Sequence, residues 1–221
     1  MAFDPGRVRA IFFDVDGTLS DTDDVYAATV ARWLVLLPSR MRADVARRIV
    51  LALETPANFA YAVLDRLGWD GAMRWLSARL RRRRVGEAAA ARPVVAGVPE
   101  MLVALAGRYP LAIVSARGRP MVQDFLERHR LAPWFGAVVT AESCARTKPS
   151  PEPLRFAAAM LGVPVEGCVM VGDTTVDMRA ARAAGAQAIG VLCGFGVEGE
   201  LRRSGADAIL ASTADVGGLL G

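Results

Sequence analysis

Two aspartates stand two residues apart where a buried strand is predicted to end. Residues 9–15 form an apolar run typical of a strand, which carries Asp14 and leads into Asp16, Gly17 and Thr18. In an extended chain such side chains point to one side, roughly 7 Å apart, so both carboxylates can enter one site. A carboxylate beside a cation can attack phosphorus, and a neighbouring acid can protonate the leaving oxygen. Gly17 would let the backbone approach a phosphate and Thr18 would add a hydroxyl; the alternative is a pair of solvated turn aspartates that cap the next helix.

A second acidic pair follows a later apolar run. Asp173 follows residues 168–172, and Asp177 stands four residues further on, on the same face of the helix predicted to follow. Carboxylates at two strand ends favour a magnesium site, because this hard cation takes oxygen ligands and keeps several waters. The alternative is that both are ordinary helix-start acids, which the helix dipole favours.

Ser115 and Lys148 offer groups that bind anions. Ser115 ends another apolar run, where its hydroxyl and exposed amides such as that of Ala116 would hold phosphate oxygens ahead of a helix. Lys148 is the single lysine among 27 lysines and arginines, which favours a position that needs a compact ammonium and excludes a planar guanidinium. The alternatives are a simple N-cap serine and an exposed loop lysine.

These charges require cations. Four carboxylates and a dianionic phosphate would repel one another by several kcal/mol in a pocket of low dielectric. One Mg²⁺ and the ammonium of Lys148 meet that need, and the metal would also polarise the phosphoryl group. The residues together predict magnesium-assisted phosphate chemistry.

Short apolar runs alternate with helical patterns along most of the chain. The predicted strands lie at residues 9–15, 111–115, 137–140, 168–172, 188–192 and 208–210. Pro99, Pro120 and Ser150 begin helices between them, and Gly162 and Gly185 end two helices. This alternation predicts an α/β fold, a Rossmann-like parallel sheet with helices on both faces, in which ligands collect at the carboxyl ends of the strands.

Residues 20–92 interrupt the alternation. They show helical periodicity and no convincing strand, which predicts a small all-helical cap inserted after the first strand. The core then comprises residues 1–19 and 93–221. The arginine-rich run 79–84 (Arg79 to Arg84) is interpreted as a solvated face that could attract anionic substrates.

Composition excludes several classes of protein. The chain has 221 residues, 53% of them hydrophobic, so it can bury a substantial core, yet no apolar run reaches the roughly 18 residues of a membrane span. Cys144, Cys168 and Cys193 lack metal-ligand spacing and are odd in number, which favours a cytoplasmic location. The expected partner is a small phosphorylated metabolite, with no nucleic acid and no membrane, and the chain is expected to be a monomer or homodimer.

In this order the motifs resemble those of the haloacid dehalogenase-like (HAD) hydrolase superfamily, in particular its phosphoglycolate-phosphatase-like members with a helical cap. The matches are residues 14–18 for the nucleophile motif, Ser115 for the phosphate-binding hydroxyl, Lys148 for the third motif, and Gly172, Asp173 and Asp177 for the metal motif. The resemblance covers the core, whereas the cap matches only in position and helical character.

The resemblance implies a phosphoaspartyl mechanism. Asp14 would attack phosphorus, and Asp16 would protonate the leaving alcohol and then activate water. Magnesium would be held by Asp14, the main-chain carbonyl of Asp16 and Asp173, with Asp177 linked through water or supporting these ligands.

Other activities within the superfamily stay open. Dehalogenases usually lack the second aspartate of the first motif, so Asp16 and Thr18 favour phosphate chemistry. A phosphomutase would pass the same phosphoryl group to a second hydroxyl, and a non-catalytic relative would only bind a phospholigand. Many relatives have asparagine after the motif-two hydroxyl, where this chain has Ala116 and Arg117; the amide remains, but the asparagine side chain is missing. Specificity would come from the cap, so the substrate is not predicted.

Overall fold

The chain divides into two units, Met1–Asp21 with Val94–Gly221, and Thr22–Pro93. The structure, a computed structural model, describes residues 2–21 and 92–220. The predicted helical cap falls almost wholly outside the described residues, as does the arginine run 79–84, and both stay predictions.

Six parallel strands form one sheet in the described part of the chain. They are β1 Ala10–Phe13, β2 Leu111–Val114, β3 Ala137–Val139, β4 Cys168–Gly172, β5 Gln187–Val191 and β6 Ala208–Leu210. Their spatial order is β3-β2-β1-β4-β5-β6. The two central strands are β1 and β4, and Phe12 of β1 lies opposite Ala112 of β2 and Met170 of β4. All six predicted strands and the parallel α/β fold are confirmed.

Helices connect the strands, and they begin and end close to the residues predicted from the sequence. The α-helices are Val98–Ala106, Arg119–Arg128, Glu152–Leu161, Thr175–Ala184, Glu198–Ser204 and Val216–Leu219, and short 3-10 helices lie at Pro5–Arg7, Ala132–Trp134, Val165–Gly167 and Thr213–Asp215. Pro99 and Pro120 lie in the first turns of two helices, and Gly162 and Gly185 close two others. Ser150 precedes the cap position by one residue, and its hydroxyl accepts the first N–H of its helix at 3.3 Å.

Both faces of the sheet are covered, because alternate residues of each strand point to opposite sides. On one face Ile11 belongs to an apolar cluster with Leu102, and on the other Phe12 belongs to a cluster with Leu154 and Met178. Since every strand runs in the same direction, all carboxyl ends reach one edge of the sheet.

No helix within the described residues is long and apolar enough to cross a membrane. The three cysteines form no disulfide. Cys168 is buried, and Cys144 and Cys193 are partly buried against the two apolar clusters. All three therefore pack against apolar residues of the core. The cytoplasmic location stays a prediction.

Ile113→Ala is expected to lower the free energy of unfolding by about 2 to 4 kcal/mol, because it leaves a cavity in the apolar cluster that covers one face of the sheet. Ile113 is fully buried in β2, between β1 and β3. Urea unfolding followed by circular dichroism measures the change. The control is Val103→Ala, at a side chain that is 53% exposed, with an expected change below about 0.5 kcal/mol. Equal losses in the two variants would contradict this assignment of the core.

Candidate active site

Three strand ends bring polar residues to the same edge of the sheet. Asp14 follows β1, Ser115 follows β2 and Asp173 follows β4, and these strands are neighbours. The N–H of Asp14 donates to the carbonyl of Val171 at 3.0 Å, which fixes the aspartate beside β4. Asp14, Ser115 and Asp173 are buried, so this edge carries polar groups that are withdrawn from water.

Lys148 joins the site from the loop after β3. Its Nζ donates to Asp14 Oδ1 at 2.9 Å and to Asp177 Oδ1 at 2.6 Å, and its side chain is only 4% exposed. Burial alone would lower the pKa of this amine, but attraction to Asp14 and Asp177 outweighs burial and raises the pKa. Lys148 is therefore an ammonium bound to two carboxylates, and not an exposed loop lysine.

Asp14 lies in surroundings that disfavour its negative charge. Burial raises its pKa, Lys148 lowers it, and Asp177 and Asp16 raise it again, so that the pKa reaches about 6 instead of 3.8. The ammonium of Lys148 therefore does not fully offset burial and the neighbouring carboxylates. A further cation beside Asp14 would be favoured, because it would reduce the repulsion.

Asp14, Asp173 and Asp177 form a cluster that could hold a metal ion. Each offers one carboxylate oxygen, these oxygens lie within 4.8 Å of one another, and all three residues are buried. With Lys148 protonated, the four side chains carry two negative charges in excess, which a divalent cation would neutralise. Carboxylate oxygen is also the ligand that magnesium prefers. The residues thus fit a divalent cation.

Asp173 is held from two sides. Thr18 Oγ1 donates to its Oδ1 at 3.2 Å, and the N–H of Phe195 donates to its Oδ2 at 3.0 Å. Gly17 has a positive φ of 69°, and a Cβ atom at Gly17 or at Gly194 would collide with the Asp173 carboxylate. Both positions therefore require glycine so that the backbone can approach this carboxylate.

Gly17 and Thr18 are predicted to contact a phosphate, but in the structure they make other contacts. The N–H of Gly17 donates to the carbonyl of Ser20 at 2.9 Å, and Thr18 is fully buried with its hydroxyl on Asp173. These contacts stabilise the loop after β1 and orient Asp173. Direct contact of Gly17 or Thr18 with phosphate stays a prediction.

Asp177 uses both of its carboxylate oxygens. Its Oδ2 accepts from the N–H of Thr174 at 3.2 Å and from the Thr174 hydroxyl at 2.6 Å, while Oδ1 accepts from Lys148. Asp177 therefore caps the N-terminus of the helix Thr175–Ala184. This agrees with the alternative interpretation that Asp177 is an ordinary helix-start acid. Asp177 also orients the buried lysine, so the two interpretations of Asp177 are compatible.

Asp16 takes a different partner. Its Oδ2 accepts from Nε of Arg117, in an ion pair whose side chains are 20% and 23% exposed, respectively. The N–H of Arg117 donates to Ser115 Oγ at 3.2 Å. Ala116 is exposed, and among the described residues its N–H has no hydrogen-bond partner. The Asp16 carboxylate is thus outside the cluster of three acids, although it is close enough to raise the pKa of Asp14.

Arg117, Gly194 and Phe195 contribute to the site without having been predicted for it. Gly194 and Phe195 come just after β5, whose carboxyl end reaches the same edge as the other strand ends. That position is the signal that could have indicated them. For Arg117 the available signal is its place two residues after Ser115.

Residues 11–191 match the family described as haloacid dehalogenase-like hydrolase. The matched range contains Asp14, Asp16, Ser115, Lys148, Asp173 and Asp177. The chain belongs to the haloacid dehalogenase-like hydrolase family. The resemblance found in the sequence motifs is thereby confirmed.

Individual relatives in this family are phosphatases. The chain is 30% identical to the phosphoglycolate phosphatase of Neisseria meningitidis, over 86% of this chain and 83% of that protein. It is 28% identical to the phosphoglycolate phosphatase of Pectobacterium atrosepticum, over 97% and 93% of the two chains. A solved structure of a predicted phosphatase from Clostridium acetobutylicum has the same fold, with a TM-score of 0.72, 19% identity and coverage of 96% and 98%. The chain is accordingly a phosphatase of the haloacid dehalogenase-like family, a hydrolase of phosphoric monoesters.

The metal-free protein is expected to lose stability as the pH rises from about 4 to about 6. The pKa of Asp14 is higher in the folded chain, at about 6, than its usual 3.8, so over this window the folded state binds a proton that the unfolded state has lost. The stabilising contribution is complete below pH 3.8 and is lost as the pH passes 6, by on the order of 3 kcal/mol.

Urea unfolding of chelator-dialysed protein between pH 4 and pH 7.5 measures this effect, with Asp14→Asn as the comparison. The stability of Asp14→Asn relative to the original protein should improve as the pH rises. Asp124→Asn, at an exposed aspartate paired with Arg128, should follow the original protein. A constant difference between Asp14→Asn and the original protein across this range would contradict the raised pKa.

Proposed function

We propose that this phosphatase uses Asp14 as its nucleophile, forms a phosphoaspartyl intermediate and requires Mg²⁺. The proposal is supported above all by the buried cluster in which Lys148 bridges Asp14 and Asp177 and Asp173 completes a possible cation site. Such surroundings suit phosphoryl transfer, because fixed positive charges meet the charge of the phosphoryl group. Helix capping alone does not require a buried ammonium shared by two carboxylates.

In the first step an oxygen of Asp14 attacks phosphorus, and the bond from phosphorus to the alcohol oxygen breaks. Asp16 in its acid form donates a proton to the departing oxygen, so the alcohol leaves as a neutral molecule. Lys148 orients Asp14 through Oδ1, which leaves Oδ2 for the attack.

In the second step water attacks the phosphorus of the phosphoaspartate. Asp16, now a carboxylate, takes a proton from this water, and the bond from phosphorus to Asp14 breaks to release inorganic phosphate. Asp16 is suited to both steps because its side chain is 20% exposed and can reach water.

Ser115, Ala116 and Lys148 bind the phosphate oxygens in this mechanism. The Oγ of Ser115 accepts the N–H of Arg117, so its own hydroxyl hydrogen is available as a donor. The N–H of Ala116 comes next in the same turn. Lys148 has three N–H groups, of which Asp14 and Asp177 engage two. Gly17 and Thr18 belong to the loop that borders this anion site.

Mg²⁺ would be held by Asp14, Asp173 and the main-chain carbonyl of Asp16, with Asp177 acting through water or through its hold on Lys148. When bound, the ion supplies positive charge and polarises a phosphoryl oxygen. The hydrogen bonds from Thr18 and Phe195 fix the Asp173 carboxylate in advance, so binding costs little reorganisation of this ligand.

The substrate is proposed to be phosphoglycolate or another small phosphorylated metabolite. The support is that the two relatives named phosphoglycolate phosphatase are 30% and 28% identical over most of the chain. A comparison of kcat/KM for phosphoglycolate and a panel of sugar phosphates tests this choice, and a higher value for a sugar phosphate would displace phosphoglycolate. Transfer of the phosphoryl group to a second hydroxyl, in place of phosphate release, would identify a phosphomutase.

Asp14→Asn is expected to lower turnover by a factor on the order of 10³ or more, because the amide cannot act as the nucleophile. Release of inorganic phosphate from an aryl phosphate measures turnover, with Mg²⁺ and after chelation. Acid-quenched original protein should contain a phosphoprotein that hydroxylamine cleaves, and Asp14→Asn should not. The control Asp124→Asn should retain activity. Equal turnover in Asp14→Asn and the original protein would remove the nucleophile assignment.

Lys148→Arg is expected to lower kcat by about 10- to 100-fold although it preserves the charge, because a guanidinium has a different shape and hydrogen-bond geometry. The Lys148 side chain is 4% exposed and contacts two carboxylates at once, which leaves little space for the larger group. The matched control is the reverse exchange in the same loop, Arg146→Lys, at an exposed residue. Unchanged kcat in Lys148→Arg would mean that charge alone is sufficient.

A further inference from the structure

Arg117 has no part in the reaction steps described above, yet its guanidinium contacts the residue that transfers the proton. Its Nε donates to Asp16 Oδ2, between residues that are 101 positions apart in the chain. The two meet because β1 and β2 are paired in parallel, with Phe13 opposite Ile113, so the loops after both strands leave the same edge of the sheet. The ion pair thus joins the first motif to the second.

The backbone on both sides of this ion pair is fixed. The N–H of Arg117 donates to Ser115 Oγ at 3.2 Å, and its carbonyl accepts the N–H of Ala141 at 2.9 Å. On the other side, Asp16 pairs with Ser20 in an isolated bridge. The guanidinium therefore extends from an anchored backbone to an anchored aspartate, and the bond between them restricts rotation of the Asp16 side chain.

We propose that Arg117 is a positioning residue that holds the Asp16 carboxyl in the orientation needed for proton transfer. The inference rests on the proposed function, in which Asp16 is the acid of the first step. Proton transfer requires the two heavy atoms to lie roughly 2.6 to 3.2 Å apart, so a freely rotating carboxyl is less effective. A charge-assisted bond from guanidinium restricts that rotation, and the ammonium of a lysine does not reproduce its geometry.

The test compares two substrates of similar size, p-nitrophenyl phosphate and benzyl phosphate. Nitrophenolate leaves readily without a proton, whereas the benzyl alcohol oxygen needs one. Arg117→Met should lower kcat/KM for benzyl phosphate by about 10-fold or more and for p-nitrophenyl phosphate by less than about 3-fold. The quantity kcat/KM is chosen because it reports the first step, in which the alcohol leaves.

Matched variants complete the experiment. Asp16→Asn should shift the preference in the same direction and by more, and adding Arg117→Met to it should cause little further loss, since both act on one step. Arg117→Lys should show a smaller shift than Arg117→Met, and it serves as the test variant if Arg117→Met does not fold by circular dichroism. Arg128→Met removes an exposed arginine paired with Asp124 and should leave both values unchanged.

The experiment distinguishes a failure of the Arg117 inference from a failure of the proposed function. Equal losses on both substrates in the Arg117 variants, with Asp16→Asn still selective, would mean that Arg117 binds the substrate, and this inference alone would be overturned. No change of preference in Asp16→Asn would remove the acid assignment of the proposed function and, with it, the positioning role.

Discussion

A single buried ammonium shared by two carboxylates is the interaction on which this site depends. Lys148 lies 2.9 Å from Asp14 and 2.6 Å from Asp177, and all three residues are buried. Removing one partner from such a group leaves an uncompensated charge and typically costs about 3 to 5 kcal/mol. Because the three residues come from the end of β1, the loop after β3 and the helix Thr175–Ala184, the same contact also joins three distant segments of the chain.

The sheet topology explains why so much charge gathers at one place. Strands covered on both faces must be continuously apolar, so polar residues occur where the strands end, and parallel strands end at the same edge. Asp14, Ser115 and Asp173 are the residues that directly follow β1, β2 and β4. Three buried acids whose oxygens lie within 4.8 Å of one another would destabilise the fold if they stood alone, and the arrangement is therefore stabilised by Lys148 and, as proposed, by a divalent cation.

The same topology determines what could be predicted from the sequence. Apolar runs were sufficient for all six strands and for placing Asp14, Ser115 and Asp173 together at one edge, because these features follow from periodicity and chain direction. The contact between Arg117 and Asp16 was not predicted, since it depends on loop conformation and on the reach of a long side chain. The close approach of the Gly194 backbone to the Asp173 carboxylate depends in the same way on the conformation of the loop after β5. The uniqueness of lysine indicated Lys148, but its sharing between two carboxylates is visible only in three dimensions.

Asp14 and Asp16 show how local geometry separates two carboxylates that stand close in sequence. Extended backbone would point both to one side, but β1 ends at Phe13 and Gly17 adopts a positive φ, and Asp16 contacts Arg117 of the loop after β2. Asp14 is left buried beside an ammonium, while Asp16 stays partly exposed beside a guanidinium. Different surroundings give two carboxyl groups different chemistry, and the roles proposed for Asp14 as nucleophile and for Asp16 as proton carrier need that difference. The compact lysine suits the crowded buried position, and the longer arginine suits the partly exposed one, because its side chain spans the distance between two loops.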